Sequence, residues 1–242
     1  RIDWLAFWCA TLPAAVIYII TLAPTVTLED SGELAVAGDH LGVPHPPGYP
    51  IWTMIAWLFA RLFSFVTFQG QPNPAWSIGL VSAVFGALAA GITAMLVCRS
   101  GRDILRHTHD TLHQLDDKQQ CVLAWLGGVV GSLSFAFSPA MWSQSTIIEV
   151  YSLNAFFLML VLLLCYRWIC KADDRSLLLM AFIFGLGLTN YPVLLLAAGP
   201  IAVMILIRYQ ALFRDLLIAA APTLLLVAGI ATERLPGIAH PL

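Results

Sequence analysis

Apolar residues fall along this chain in long, nearly unbroken runs, separated by short stretches that hold most of the charge. The runs lie at roughly 4–23, 77–98, 122–138, 153–169, 177–189, 193–207 and 216–231. Several approach the ~20 apolar residues needed to cross a ~30 Å hydrocarbon core. The pattern predicts an all-α, polytopic transmembrane helix bundle of about seven spans.

Composition sharpens this. Of 242 residues, 60% are hydrophobic and 11% charged, with mean hydropathy +0.83; soluble domains carry about 25% charged residues. Membrane lipid is therefore the expected surrounding, and a net charge of −2 points to no nucleic-acid partner. The chain starts at Arg1 without Met and stops at Leu242 soon after an apolar run, which predicts a fragment. The first run is long for a signal-peptide core and lacks a small-residue cleavage site, so it reads as a retained span.

Charge sets the orientation. Arg99, Arg102, Arg106, Lys118, Arg167, Lys171, Arg175, Arg208 and Arg214 lie between runs. The positive-inside rule puts such short basic loops in the cytoplasm, and seven spans with a cytoplasmic N-terminus do so. Residues 51–68 are apolar enough to span, yet Arg61 sits inside them, where a mid-membrane arginine costs about 2.5–3.5 kcal/mol. The segment is expected to lie along the outer face or re-enter. An N-out, eight-span arrangement also keeps the basic loops inside. Asn190-Tyr191-Pro192 should break 177–207 into two short helices with an outer turn. Cys98, Cys121, Cys165 and Cys170 fall at cytoplasmic helix ends and Cys9 in the first span, as expected of reduced thiols.

Polar chemistry concentrates in the first outer loop, residues 24–76. Residues 25–50 hold Glu29, Asp30, Glu33, Asp39, His40 and His45. Asp30-Ser-Gly-Glu33 reads as a capping box, with Asp30 as N-cap and Glu33 at N3, which would also orient a catalytic carboxylate. Three prolines in His45-Pro46-Pro47-Gly48-Tyr49-Pro50 stiffen the entry to the next helix; His45 is a functional group there or an incidental turn residue. Glu149 is the one formal charge between Lys118 and Arg167. With seven spans, Glu149, Tyr151 and Asn190 share a face with Asp30 and Glu33, the convergence expected of a site.

The cytoplasmic loop 99–121 spaces His109 and His113 at i,i+4, yet its leucines and charges read better as an interfacial amphipathic helix than as a metal site. Gly86, Ala90, Gly127 and Gly131 are expected to mark close helix packing. No P-loop, GxGxxG or HExxH pattern is present.

Thr21-Leu-Ala-Pro-Thr25, Asp30-Ser-Gly-Glu33, His45-Pro-Pro-Gly48, Trp142-Ser-Gln and Glu149-Val-Tyr151, in that order, resemble a family of multi-pass membrane proteins long of unknown function. That family is grouped with protein O-mannosyltransferase-like enzymes of the GT-C superfamily. The resemblance covers roughly residues 10–200 and implies a single GT-C-like domain over 1–242. It also implies a glycosyltransferase that moves a mannose-like hexose from a polyprenyl- or dolichyl-phosphate carrier to an acceptor hydroxyl on a protein or glycan. The site would face away from the cytoplasm, in a bacterial inner membrane or, in a eukaryote, the endoplasmic reticulum. Asp30 would be the general base and Glu33 its assistant. Glu149 would hold acceptor or sugar hydroxyls, or a divalent cation; no cofactor is certain. Tyr151 and Asn190 complete the substrate-binding set. O-mannosyltransferases start the long helix after this loop with an arginine, where this chain has Ala75-Trp76-Ser77. The phosphate partner therefore falls to Arg61 or His45 by position. The rivals are a lipid-linked substrate transporter or flippase, and an inactive membrane scaffold.

Overall fold

Inside lipid, every backbone polar group must find a partner within the chain, and a helix supplies it locally. The computed structural model describes residues 2–107, 115–171 and 173–231. Its helices are α1 (Ile2–Ile20), α2 (Ser31–His40), α3 (Pro50–Leu62), α4 (Pro74–His107), α5 (Asp117–Ala136), α6 (Pro139–Ser145), α7 (Tyr151–Lys171) and α8 (Asp174–Leu188). A 3-10 segment at Pro192–Ala197 then leads to α9 (Ala198–Arg208) and α10 (Gln210–Ala231). A small antiparallel hairpin, β1 (Thr67–Phe68) with β2 (Gln71–Pro72), joins α3 to α4.

Among the described residues, five helices are long and apolar enough to cross a membrane: α1, α4, α5, α7 and α10. The expected spans at 177–189 and 193–207 are shorter helices, α8 of 15 residues and α9 of 11. They part at Asn190–Pro192, where the proline removes a donor. The 51–68 segment is helical only over the 13 residues of α3, about 20 Å, which is too short to span.

Within 99–121, α4 runs on to His107, and α5 starts at Asp117 behind a capping box made by Asp116 and Gln119. His109 and His113 lie outside the described residues. Of the small residues, Gly86 and Ala90 do pack, but Gly127 and Gly131 are exposed, and a Cβ at either would meet nothing within 4 Å. Gly128 is the packing glycine, since a Cβ there would lie 2.7 Å from the Ala94 carbonyl oxygen. The packed face of α5 is one residue away from the one expected.

Residues Arg1–Leu195 and Leu196–Leu242 form two compact units. In the first, α4 packs on α1, α5 and α7, with α7 on α8. Alanines make the seams: Ala14, Ala83, Ala87, Ala90 and Ala136 surround Tyr18, and Ala6, Ala10, Ala94 and Ala124 surround Cys98. Such side chains let backbones approach without a hydrophobic drive between helices. The second unit holds α9 and α10, with Pro222 inside α10 and apolar side chains such as Ile218 and Leu225 exposed.

Chain direction brings the end of α1, the start of α4, the end of α5 and the start of α7 to one end of the first unit. Ala23 N–H donates to the Thr146 carbonyl (2.9 Å), and the Tyr18 hydroxyl to that of Ala136 (2.6 Å). At the opposite end, Arg99 and Arg102 clasp Asp3 at 3.0 and 2.7 Å.

Candidate active site

The loop after α1 turns sharply at Glu29 (φ 64°), and Asp30 becomes the N-cap of α2. The capping box does not form, because the Asp30 side chain makes no cap bond. Glu33 instead accepts the His45 backbone N–H at 2.6 Å and contacts His45 Nδ1 at 3.1 Å. Both Glu33 oxygens are thus turned toward His45 rather than back along α2 to the Asp30 amide. His45 is held there by the turn that follows: Gly48 (φ 89°) and Tyr49 (φ 42°) adopt left-handed backbone before Pro50 opens α3. Gly48 is needed because that φ is costly for a side chain.

From His45 the contacts pass to a row of tyrosines. The Tyr49 hydroxyl meets His45 Nε2 at 2.9 Å, and Asp30 Oδ2 lies 3.9 Å from the same nitrogen. The Tyr49 ring lies 6.2 Å from Tyr191, which meets Tyr151 edge-on at 5.2 Å. Tyr151 is the first residue of α7, and Tyr191 sits in the break after α8.

Glu149, in the link between α6 and α7, is 4% exposed. Its backbone is fixed on both sides: the carbonyl accepts from Trp52 Nε1 (3.2 Å) and the Ser82 hydroxyl (3.1 Å), while its N–H donates to Ser82 Oγ (3.2 Å). Its side chain accepts the Val150 N–H at 3.2 Å. Next to it, buried Asn190 donates through Nδ2 to the Val150 carbonyl at 3.2 Å, and its Oδ1 has no partner among the described residues. Ser31, at the start of α2, donates to the Ile148 carbonyl at 3.3 Å, so the acidic loop and the Glu149 loop touch.

Electrostatics separate the two carboxylates. Hydrogen bonds from His45 hold Glu33 below the ordinary carboxylate range. Burial pushes Glu149 up to about 7, outweighing the Val150 N–H, and the nearby charges of Glu29 and Asp30 add to the rise. A carboxylic acid half-protonated near neutrality donates and accepts hydrogen bonds; an ionised one only accepts. Burial also raises the Tyr49 phenol.

Asp30, Glu33 and His45 offer ligand atoms within 4.8 Å of one another, a set able to hold a divalent ion if the His45 bonds to Glu33 and Tyr49 gave way. This group of ligand atoms lies in the first loop and does not include Glu149, the residue to which the sequence pointed. Arg61 is not among these residues. It donates to the Asp39 carbonyl (2.6 Å) and carboxylate (3.0 Å), about 12 Å along α2 from Ser31. Ser77, near the start of α4, donates to the Phe63 and Asn73 carbonyls and ties α3 to α4. Sequence reasoning missed Trp52, Ser82 and the role of Tyr49. Only Tyr49 carried a signal, its i+4 spacing from His45.

A family model described as "Protein O-mannosyl-transferase TMEM260 N-terminal domain" matches residues 30–213. A Mus musculus protein named Protein O-mannosyl-transferase TMEM260 is 33% identical over 180 residues, covering 73% of this chain and 22% of that protein. A Dictyostelium discoideum protein of the same name is 26% identical over 204 residues, covering 79% of this chain and 22% of the relative. This chain thus spans about a fifth of the length of these relatives. No solved structure matches it significantly.

Proposed function

The chain belongs to the TMEM260 N-terminal domain family, and from that premise we propose that it carries the catalytic end of a protein O-mannosyltransferase. The donor is a mannose-type hexose on a polyprenyl or dolichyl phosphate, and the acceptor is a protein Ser or Thr hydroxyl. The site faces away from the cytoplasm. The observation that carries this reading is the meeting, at one end of the bundle, of Asp30–Glu33–His45 with buried Glu149.

Each group has a task that its surroundings fit. Asp30 is exposed and makes no cap bond, so it is free to take the acceptor proton at the 2.6–3.2 Å typical of a general base. As that proton leaves, the acceptor oxygen bonds to the sugar's anomeric carbon and the carbon–oxygen bond to the lipid phosphate breaks. Glu33 is committed to His45 and is a positioning residue. The Tyr49 hydroxyl, held at His45 Nε2, turns from that nitrogen to supply a donor for the departing phosphate, whose charge a hydrogen-bond donor stabilises. The Tyr49–Tyr191–Tyr151 row offers an aromatic wall to the sugar ring, with Glu149 and Asn190 Oδ1 as its hydroxyl partners. Because the carrier's tail is lipid, the donor enters sideways from the bilayer and needs no soluble nucleotide-binding domain.

The test is transfer from dolichyl-phosphate mannose to an acceptor peptide by the full-length protein in membranes. Asp30→Asn should cut the rate by about 10²–10⁴-fold. Equal transfer by both would remove Asp30 as the base. No transfer by the wild type would favour a transporter or scaffold.

A further inference from the structure

The other end of the bundle holds a second concentration of polar groups, about 28 Å away along the 19-residue α1. A cavity of about 340 Å³ opens there between the start of α1, the last turns of α4 and the end of α7. Arg99, Arg102, Arg167 and Lys171 line it, against the acids Asp3 and Asp103.

The acids are already engaged. Asp3 accepts from both Arg99 and Arg102, and Asp103 accepts from the Tyr166 hydroxyl. Arg167 reaches out to Asp173 at 3.4 Å. The cations still outnumber the acids when Asp173 is included. Each guanidinium carries five N–H donors in a fixed fork, so donors remain in excess. Arg102 Nε is buried and has no acceptor among the described residues. An unmet donor on a charged group is costly, and an arginine fork pairs bidentately with phosphate as readily as with carboxylate.

We infer that this cavity binds the phosphate of an anionic phospholipid headgroup. α1, α4 and α7 are candidate spans, so a cavity at their ends lies at headgroup depth. Basic pockets between spanning helices are where anionic headgroups are held. The bound lipid would accept from the exposed N–H groups of the cationic side chains lining the cavity and lock three helix ends to the bilayer surface. This role is independent of sugar transfer at the opposite end.

The experiment uses the full chain in nanodiscs of phosphatidylcholine with graded phosphatidylglycerol, and reads retained lipid by native mass spectrometry after mild extraction. The wild type should keep phosphatidylglycerol in preference to phosphatidylcholine. Lys171→Gln, an exposed change with no ionic partner among the described residues, should lower retention about fivefold. Asp3→Asn removes the internal acid that competes for Arg99 and Arg102, and should raise retention in the folded, monodisperse fraction. A purely structural ion-pair network gives the opposite sign, so lower retention in Asp3→Asn would overturn the assignment. Equal retention of both lipids by the wild type, or full displacement by inorganic phosphate, would overturn it as well.

Discussion

Glu33 and His45, twelve residues apart, are joined twice: the His45 N–H reaches Glu33 Oε1 at 2.6 Å, and His45 Nδ1 lies 3.1 Å from Oε2. One carboxylate thereby fastens the proline-rich loop to α2. With the Nδ1 proton directed at Glu33, Nε2 is left to accept from Tyr49 at 2.9 Å.

This pairing gives a pH dependence of known sign. Glu33 is held below its ordinary value by His45, so its contribution is present above the ordinary carboxylate range and is lost as pH falls through the lowered value. Hydrogen exchange at the His45 amide, taken relative to its intrinsic rate at each pH, is expected to speed up on acidification. Glu33→Ala should show the fast rate at neutral pH, and unchanged exchange in that variant would remove the tie.

Glu149 has the opposite sign. Its value is raised to about 7, so the fold favours the neutral acid. That stability is full below about 4.5 and fades as pH rises through about 7. Glu149→Gln keeps the shape without the titration. In detergent, thermal stability of the wild type should fall relative to Glu149→Gln between those limits, by on the order of 2–3 kcal/mol. Parallel curves would contradict the burial argument.

Neighbouring glycines on α5 give a packing test. A methyl at Gly128 would meet a backbone oxygen at 2.7 Å, whereas at Gly127 it meets nothing within 4 Å. Gly128→Ala should cost about 1–3 kcal/mol through forced separation of α4 and α5. Gly127→Ala should be neutral or slightly stabilising, as a helical Gly-to-Ala change usually is. Thermal unfolding of the two variants separates the faces.

Much of this was legible in the residues because lipid imposes simple rules. Apolar runs gave the helices, and the Asn190–Pro192 break gave the turn after α8. Asp30, Glu33 and His45 were readable as a cluster since they share one loop. What escaped depends on register and on distant partners. Glu33 abandons a local capping box for a residue twelve positions away. Arg61 finds Asp39, because the 13-residue α3 returns its far end to the end of α2. Trp52 and Ser82 fix the Glu149 backbone from other helices, and nothing in their own surroundings marks that role. Gly128 was missed for Gly127 by a single step of about 100° around a helix.

The two acidic loops must open to one compartment, and Lys171's end of the bundle to the other. Gly32→Cys and Ser143→Cys put thiols at exposed positions in the two loops, and native Cys170 is exposed at the opposite end. With Cys9, Cys98, Cys121 and Cys165 replaced by alanine, sealed oriented vesicles can be treated with a membrane-impermeant maleimide. The expected result is labelling of the thiols introduced at positions 32 and 143 from the non-cytoplasmic side, and of Cys170 from the cytoplasmic side alone. Labelling of position 32 or 143 from the same side as Cys170 would contradict the site described here.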